Sequence, residues 1–373
     1  MSVPALVPSF PRYRITGTPA ERGLMYGRLA RREIREAITG YADVFQHYQN
    51  WDWARVRRQA ARFRPHIEDF SPASMREITG IAEGAGVETD DVLALNTRSE
   101  IMFAAGAEAE RMPMECTSFA LTAQASADRT VLAGQNWDWI LQARETAVLV
   151  EVTREDGPDF ITLVEAGMLA KIGLNESGVG LCTNTLISSH LEGGPGVPYH
   201  ILLRSVLDSE DGASAANRIK AASRSNSANY LIVDESGFCQ DLETTPKAGA
   251  VQAFLPDDDG IITHANHFLA DHLTPRDVYL ERKRHTLARK ELIDRGLRGA
   301  EKLTIDRLKT VLGDHTGEPD NVCQHPNASL PRAERTCTVA GVILAPESRT
   351  MHVAAGNPCV SEWHEIRLST TTA

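Results

Sequence analysis

Cys116 stands in Met114-Glu115-Cys116-Thr117-Ser118-Phe119, and after a turn the chain returns through Ala133-Gly134-Gln135-Asn136-Trp137-Asp138-Trp139. A thiol at the head of one strand, with a carboxylate on the returning strand, is what an amide-cleaving enzyme needs if its backbone is cut just before that cysteine. A thiol ordinarily titrates at about 8.5 and an α-amine at about 7.7 to 8.0, so a cysteine with a free amine carries nucleophile and base in one residue. In an unbroken chain that amine is an amide. The Glu115–Cys116 bond must therefore be cut first, by attack of the thiol on the Glu115 carbonyl and hydrolysis of the resulting thioester. Asp138 would hold and polarise the amine and thiol across the hairpin. For an arbitrary cysteine the commoner role is that of a small buried core residue.

Composition narrows the classes. The chain has 373 residues, 42% of them hydrophobic, enough for one large core or two modest ones. With 39 basic against 50 acidic residues the formal charge is -11, and no basic field is available to track a phosphate backbone. Nucleic acid is not an expected partner. No window approaches the apolar length of a membrane span and Met1 to Arg14 lacks a leader pattern, so the expectation is a soluble, cytoplasmic protein with no membrane contact. The six cysteines lie far apart with no C-x-x-C, which suggests neither a disulfide scaffold nor a zinc knuckle.

The elements that must position Cys116 and Asp138 follow from periodicity. Thr18-Pro19-Ala20-Glu21 combines a capping box with proline at the first helical position, and Ile34, Ile38, Tyr41 and Phe45 continue an amphipathic helix. Ser71-Pro72 starts a helix closed by Gly84 and Gly86, and Thr89-Asp90-Asp91 opens another toward Ile101. Residues 104–113 read as an exposed loop leading to the cysteine. From Cys116 the period falls to two, and hairpins are predicted over 117–139, 147–165, 230–243 and 337–354, with a turn at Asn175-Glu176-Ser177-Gly178 before a strand over 179–186. Helices are predicted over 199–207, 213–222, 275–293 and 305–312. Hairpins interleaved with helices suggest two sheets packed face to face with helices outside.

In motif order the chain resembles the acyl-CoA:6-aminopenicillanic acid acyltransferase family of autoproteolytic N-terminal-nucleophile enzymes. The pieces that carry the resemblance are Gly17 to Gly23, Leu95-Asn96-Thr97-Arg98-Ser99-Glu100, Cys116-Thr117-Ser118, Gly134-Gln135-Asn136-Trp137-Asp138, Gly173 to Gly178 and Thr263-His264-Ala265-Asn266-His267-Phe268, with Asp314-His315, Cys323 and His325 after them. The resemblance implies an α+β fold, a four-layer αββα sandwich with two antiparallel sheets. It implies one domain over 1–373, matured into fragments 1–115 and 116–373 that remain associated as a heterodimer. Cys116 falls on the nucleophile, Asp138 on the supporting carboxylate and Asn266 on the side-chain amide of the oxyanion hole. Asn184 resembles the second oxyanion asparagine of the bile-salt hydrolase and penicillin V acylase branch, and Arg335 a basic residue near the thiol there. A strand-ending asparagine and a surface ion pair are the alternatives for these two. The residue before the family's nucleophile is glycine in the penicillin enzyme, and Glu115 departs from it.

The implied activity is a cysteine amidohydrolase acting on a linear amide, with an acyl-CoA-dependent N-acyltransferase and a non-catalytic ligand-binding relative as alternatives. The implied partners are a small amide or acyl molecule and the chain's own fragments, with a homo-oligomer left open. No cofactor or metal is expected. His264, His267, Asp271 and His272 form the densest group of potential ligands, but their spacing fits no metal motif, and a strand-end role beside Asn266 is preferred. A Cys/His pair drawn from the twelve histidines is the other catalytic alternative.

Overall fold

The structure, a computed structural model, describes residues 9–104, 115–190, 192–247, 249–299 and 302–369. A short strand β1 (Arg12–Thr16) leads into α1 (Pro19–Leu29), which starts where the capping box puts it: Thr18 accepts from the Glu21 N–H, and the Glu21 carboxylate accepts from the Thr18 N–H. Next come α2 (Arg31–Gln49), α3 (Trp53–Ala60), α4 (Arg64–Phe70), α5 (Pro72–Ala85), α6 (Thr89–Asn96) and α7 (Arg98–Ala104). On α2 the buried positions Ile34, Ala37, Tyr41, Val44 and Phe45 recur at helical spacing and form one apolar stripe. Helices α1 and α5 pack backbone to backbone. A Cβ on Gly23 would lie 2.3 Å from the Glu77 carbonyl oxygen, closer than atoms can approach, so only glycine permits that contact.

The second part of the chain alternates strands and helices. It contains β2 (Glu115–Leu121), β3 (Leu132–Ile140), α8 (Ala143–Thr146), β4 (Ala147–Thr153), β5 (Phe160–Glu165), β6 (Ile172–Asn175), β7 (Gly180–Thr185), α9 (Tyr199–Leu207) and α10 (Gly212–Ala221). It closes with β8 (Ala228–Val233), β9 (Cys239–Thr244), β10 (Val251–Phe254), β11 (Ile261–His264), α11 (Val278–Arg282), α12 (His285–Leu297), α13 (Ile305–Leu312), β12 (Thr336–Ala345), β13 (Thr350–Ala355) and β14 (Trp363–Arg367). An eight-stranded sheet has the order β1-β4-β5-β6-β7-β8-β9-β10, and a six-stranded sheet the order β11-β2-β3-β12-β13-β14. Every pairing is antiparallel except β1 with β4.

The sheets face each other through β2 and β3 against β7; α9 and α10 cover the outside of the larger sheet, and α12 and α13 the outside of the smaller. This is the expected α+β, four-layer αββα arrangement. Strands β3, β4 and β5 are buried along almost their whole length because both faces are covered. Among the described residues no helix is long and apolar enough to cross a membrane.

Three helices expected to run through are broken. The first breaks at Ala30 (φ -100°, ψ 21°), and the third at Thr97 (φ -118°, ψ 14°), where the Asn96 and Thr97 side chains bond back to the Val92 and Leu93 carbonyls. The predicted helix over 275–293 is interrupted at Lys283, which leaves helical geometry at φ -122° and ψ 67°. Periodicity gave no sign of β1, whose partner β4 lies far along the chain. The predicted loop before Cys116 falls largely outside the described residues.

Candidate active site

Cys116 sits near the start of β2, paired across the hairpin with Trp137, while Glu115 is paired with Asp138. Its thiol is buried between the sheets. Two residues on, and therefore on the same face, Ser118 donates a 2.5 Å hydrogen bond to Asn184 Oδ1 on β7. Among the described residues, the buried Asn184 Nδ2 has no hydrogen-bond partner. Gln135 fixes the two sheets at this level: its Nε2 donates to the Thr183 carbonyl at 2.6 Å, and its Oε1 accepts the Thr183 N–H at 2.8 Å.

The backbone of Cys116 is held from the other direction. Its N–H donates to Asn266 Oδ1 at 2.7 Å, and Arg289 on α12 donates to the Cys116 carbonyl at 2.5 Å, to Thr117 Oγ1 at 2.9 Å and to Asn266 Oδ1 at 2.9 Å. Asn266 Nδ2 donates to the Thr185 carbonyl at 3.0 Å, and its own N–H donates to Thr286 Oγ1 at 2.8 Å. The break at Lys283 has its use here. A new helix starting at His285 brings Thr286 and Arg289, three residues apart on one face, onto Asn266.

Asp138 is buried, and its carboxylate accepts the Thr338 hydroxyl at 2.5 Å. Burial pushes the Cys116 thiol above its ordinary pKa; the Lys171 ammonium pulls it back down, and the Asp138 charge pushes it up again. Lys171, in the turn between β5 and β6, is itself buried, with Nζ 5.1 Å from the Trp137 ring centre. Desolvation lowers its pKa to about 8, against the attraction of Cys116. A lysine there can give up and take back a proton near neutral pH.

Of the residues singled out in the sequence, the structure brings Cys116, Asn184 and Asn266 together; Asp138, paired with Glu115 and so on the alternate face of β3 from Trp137, stands close by with its carboxylate on Thr338. Arg335 is elsewhere, donating to the loop carbonyls of Leu330 and Ala328. The arginine at the cysteine is Arg289. His264 and His267 are buried, one bonded to Glu243 and the other to Thr286, while Asp271 and His272 are exposed; they do not converge into a ligand group.

The family model of acyl-coenzyme A:6-aminopenicillanic acid acyl-transferase matches residues 125–359, more than half of the 373-residue chain. The chain belongs to this family. It is accordingly an enzyme of an acyltransferase family. A curated relative is the acyl-coenzyme A:6-aminopenicillanic-acid-acyltransferase 40 kDa form of Emericella nidulans, 29% identical over 258 residues that cover 69% of either chain. Protein dcd1A of Dictyostelium discoideum is 23% identical over 246 residues, 56% of this chain and 52% of that one. Among solved structures, the penicillin V acylase from Agrobacterium tumefaciens is similar at 13% identity, covering 68% of this chain and 86% of that one, with a TM-score of 0.43. A mutant of the conjugated bile acid hydrolase from Clostridium perfringens gives 12% identity, 68% and 97% coverage and a TM-score of 0.41.

Sequence reasoning passed over Lys171 and Arg289, which carry no motif of their own in this acyltransferase-family chain. An indirect signal existed for the lysine in the segment Leu95 to Glu100. Asn96 donates to the Gly167 carbonyl and accepts the Leu169 N–H, fixing the turn that delivers Lys171. Arg98 pairs with Glu165 at 2.7 Å and bonds the Tyr41 hydroxyl at 2.6 Å, while Glu100 accepts the Tyr199 N–H at 2.7 Å. Of these buried residues, Arg98 and Glu165 are near enough for their charges to bear on the lysine.

Proposed function

We propose that the protein is a self-processing cysteine amidohydrolase. The observation that carries this reading is the convergence of Asn266 and Arg289 on the Cys116 backbone, with the buried Lys171 near enough for its charge to bear on the thiol. In the unbroken chain the Glu115–Cys116 peptide occupies the place of a substrate amide. Lys171, in its neutral form, takes the thiol proton, and the thiolate attacks the Glu115 carbonyl carbon. The C–N bond breaks, the Cys116 nitrogen takes a proton and becomes an amine, and water hydrolyses the thioester to a Glu115 carboxylate and a free thiol. Fragments 1–115 and 116–373 stay together because β1 of the first pairs with β4 of the second in the eight-stranded sheet, and Arg98 is ion-paired with Glu165 across the cut.

In turnover the freed amine replaces Lys171 as the base. Asn266 Oδ1, which accepts the Cys116 N–H in the uncut chain, holds that amine, with Asp138 as the balancing carboxylate. The unpartnered Asn184 Nδ2 is the donor assigned to the tetrahedral oxyanion. The substrate class is a linear amide, an N-acyl amine or amino acid conjugate, cleaved through an acyl-thioester on Cys116. The family and its Emericella nidulans relative favour a second reading, in which an amine rather than water takes the acyl group from the same thioester. Acyl transfer from a CoA thioester to an added amine, outrunning hydrolysis, would establish it.

Intact mass and N-terminal sequencing of the wild-type protein beside Cys116→Ala test the first step. Two fragments, the larger beginning Cys116-Thr117-Ser118, and an intact variant are expected. A variant that still splits at this bond overturns the mechanism.

A further inference from the structure

Four side chains outside the proposed active site converge at one end of the smaller sheet. His315 follows α13, Cys323 and His325 precede β12, and Cys359 follows β13. Their ligand atoms all lie within 4.8 Å of one another. The sulfurs of Cys323 and Cys359 are 3.6 Å apart, His325 Nε2 is 3.2 Å from His315 Nε2, and the same nitrogen is 3.2 Å from Cys359 Sγ. A tetrahedral zinc ion with Zn–S of about 2.3 Å and Zn–N of about 2.0 to 2.1 Å sets its donors about 3.8 Å (S···S), about 3.4 Å (N···N) and about 3.5 Å (N···S) apart. These three separations lie within a few tenths of an ångström of those values, and the remaining pairs lie within 4.8 Å.

We propose that His315, Cys323, His325 and Cys359 bind one Zn2+ ion in a closed, structural Cys2His2 site. The donor types fit: two sulfurs and two imidazoles satisfy a borderline-soft dication, leaving no open position for a substrate or water. Surrounding bonds orient the ligands. Asn357 Nδ2 lies 3.4 Å from Cys323 Sγ and donates to the Gln324 carbonyl at 2.7 Å, while the Cys323 N–H donates to the Asp314 carbonyl at 3.0 Å. Two uncoordinated thiols and two exposed imidazoles packed this closely would otherwise gain little from meeting, since ordering them costs side-chain entropy.

The ion would staple the connection between α13 and β12 to the end of β13. That connection also reaches the cysteine site: the Gln324 N–H donates to Thr338 Oγ1 at 2.9 Å, and the same hydroxyl donates to Asp138. Asn136, two residues before Asp138 on β3, holds the Leu312 carbonyl at the end of α13 and the Val322 carbonyl just before Cys323.

The test is metal content of the full-length, untagged protein by plasma mass spectrometry, with wild type beside Cys359→Ser and His325→Ala. About one zinc per wild-type chain, largely lost from both variants, is the expected result. Because a variant can fail to fold, the wild-type protein is also exchanged into Co2+; a tetrahedral ligand-field spectrum with a thiolate-to-cobalt charge-transfer band supports the site. Zinc retained undiminished in folded variants overturns the proposal. So does a reduced wild-type protein that takes up neither Zn2+ nor Co2+, including one isolated with a Cys323–Cys359 disulfide. None of these readings depends on whether Cys116 is a nucleophile.

Discussion

The chain places thiols in two contrasting settings. Cys116 is buried between two sheets, with nitrogens of Lys171 and Arg289 near it and an asparagine on its backbone. Cys323 and Cys359 are a pair at the rim, with two imidazoles at ligand distance. A thiol becomes a nucleophile when its thiolate is stabilised but left without a bonding partner. It becomes a ligand when other soft donors stand at the vertices of a tetrahedron around a shared centre. Neighbours, rather than residue type, separate the two regions.

The contrast breaks most sharply at Lys171. Replacing it with Met is expected to slow cleavage at Glu115–Cys116 by about 10²- to 10⁴-fold, the usual contribution of a general base. Because only the neutral amine can accept the thiol proton, the wild-type cleavage rate should rise with pH through about 8, and the variant should lose that inflection. A time course of fragment appearance between pH 6 and 9 measures both, and an unaltered profile would return Lys171 to a purely structural role.

Asn184→Ala sharpens the same side. With its side-chain N–H gone, turnover of an amide by the matured protein should fall by about 10²- to 10³-fold while substrate binding changes little. Steady-state kinetics on the two-fragment protein separate kcat from KM.

Burial of the interior half also sets a pH-dependent stability of its own. Desolvation raises Glu100 to about 7, above its unfolded value, so its contribution is fully present below the unfolded pKa and is lost as pH rises toward 7. Glu100→Gln escapes that loss and should gain about 3 kcal/mol relative to wild type between pH 4.5 and pH 8. Urea unfolding of both proteins at the two pH values gives the difference, and parallel shifts would place the charged carboxylate in a better-solvated setting.

The smallest expected effect is at Arg289. Lysine keeps the charge but cannot reach the Cys116 carbonyl, Thr117 and Asn266 together, and the loss of one charge-assisted bond, about 1.5 kcal/mol, predicts roughly tenfold slower processing. Arg289→Met, which removes the charge as well, should be slower still in the same fragment assay.

Much of the site was legible where local spacing carries meaning. The capping box at Thr18 and Glu21, the hairpin of β2 with β3 and the strand bounds of β4 and β5 all follow from local rules, and Cys116 with Asp138 follows from the hairpin. Asn184 and Asn266 were named from resemblance, but the division of their atoms was not. Asn266 turns its oxygen to the Cys116 amide, and Asn184 leaves its nitrogen unbonded. Arg335 was chosen for its charge and lies on a loop, because charge in a sequence has no direction.

What the sequence determined by itself was the element types, the α+β class and a cysteine near the head of a strand whose hairpin partner carries a carboxylate. These depend on residues a few positions apart. Lys171 and Arg289 meet at Cys116, and two cysteines and two histidines meet beyond β13, only because sheets and helices bring distant segments within bonding reach. His325 and Cys359 are separated by 34 residues yet stand 3.2 Å apart, and no local rule encodes such a distance. Tertiary structure decided which thiol is sealed beside a lysine and which two share a ligand cluster, since burial and long-range proximity are properties of the packed chain.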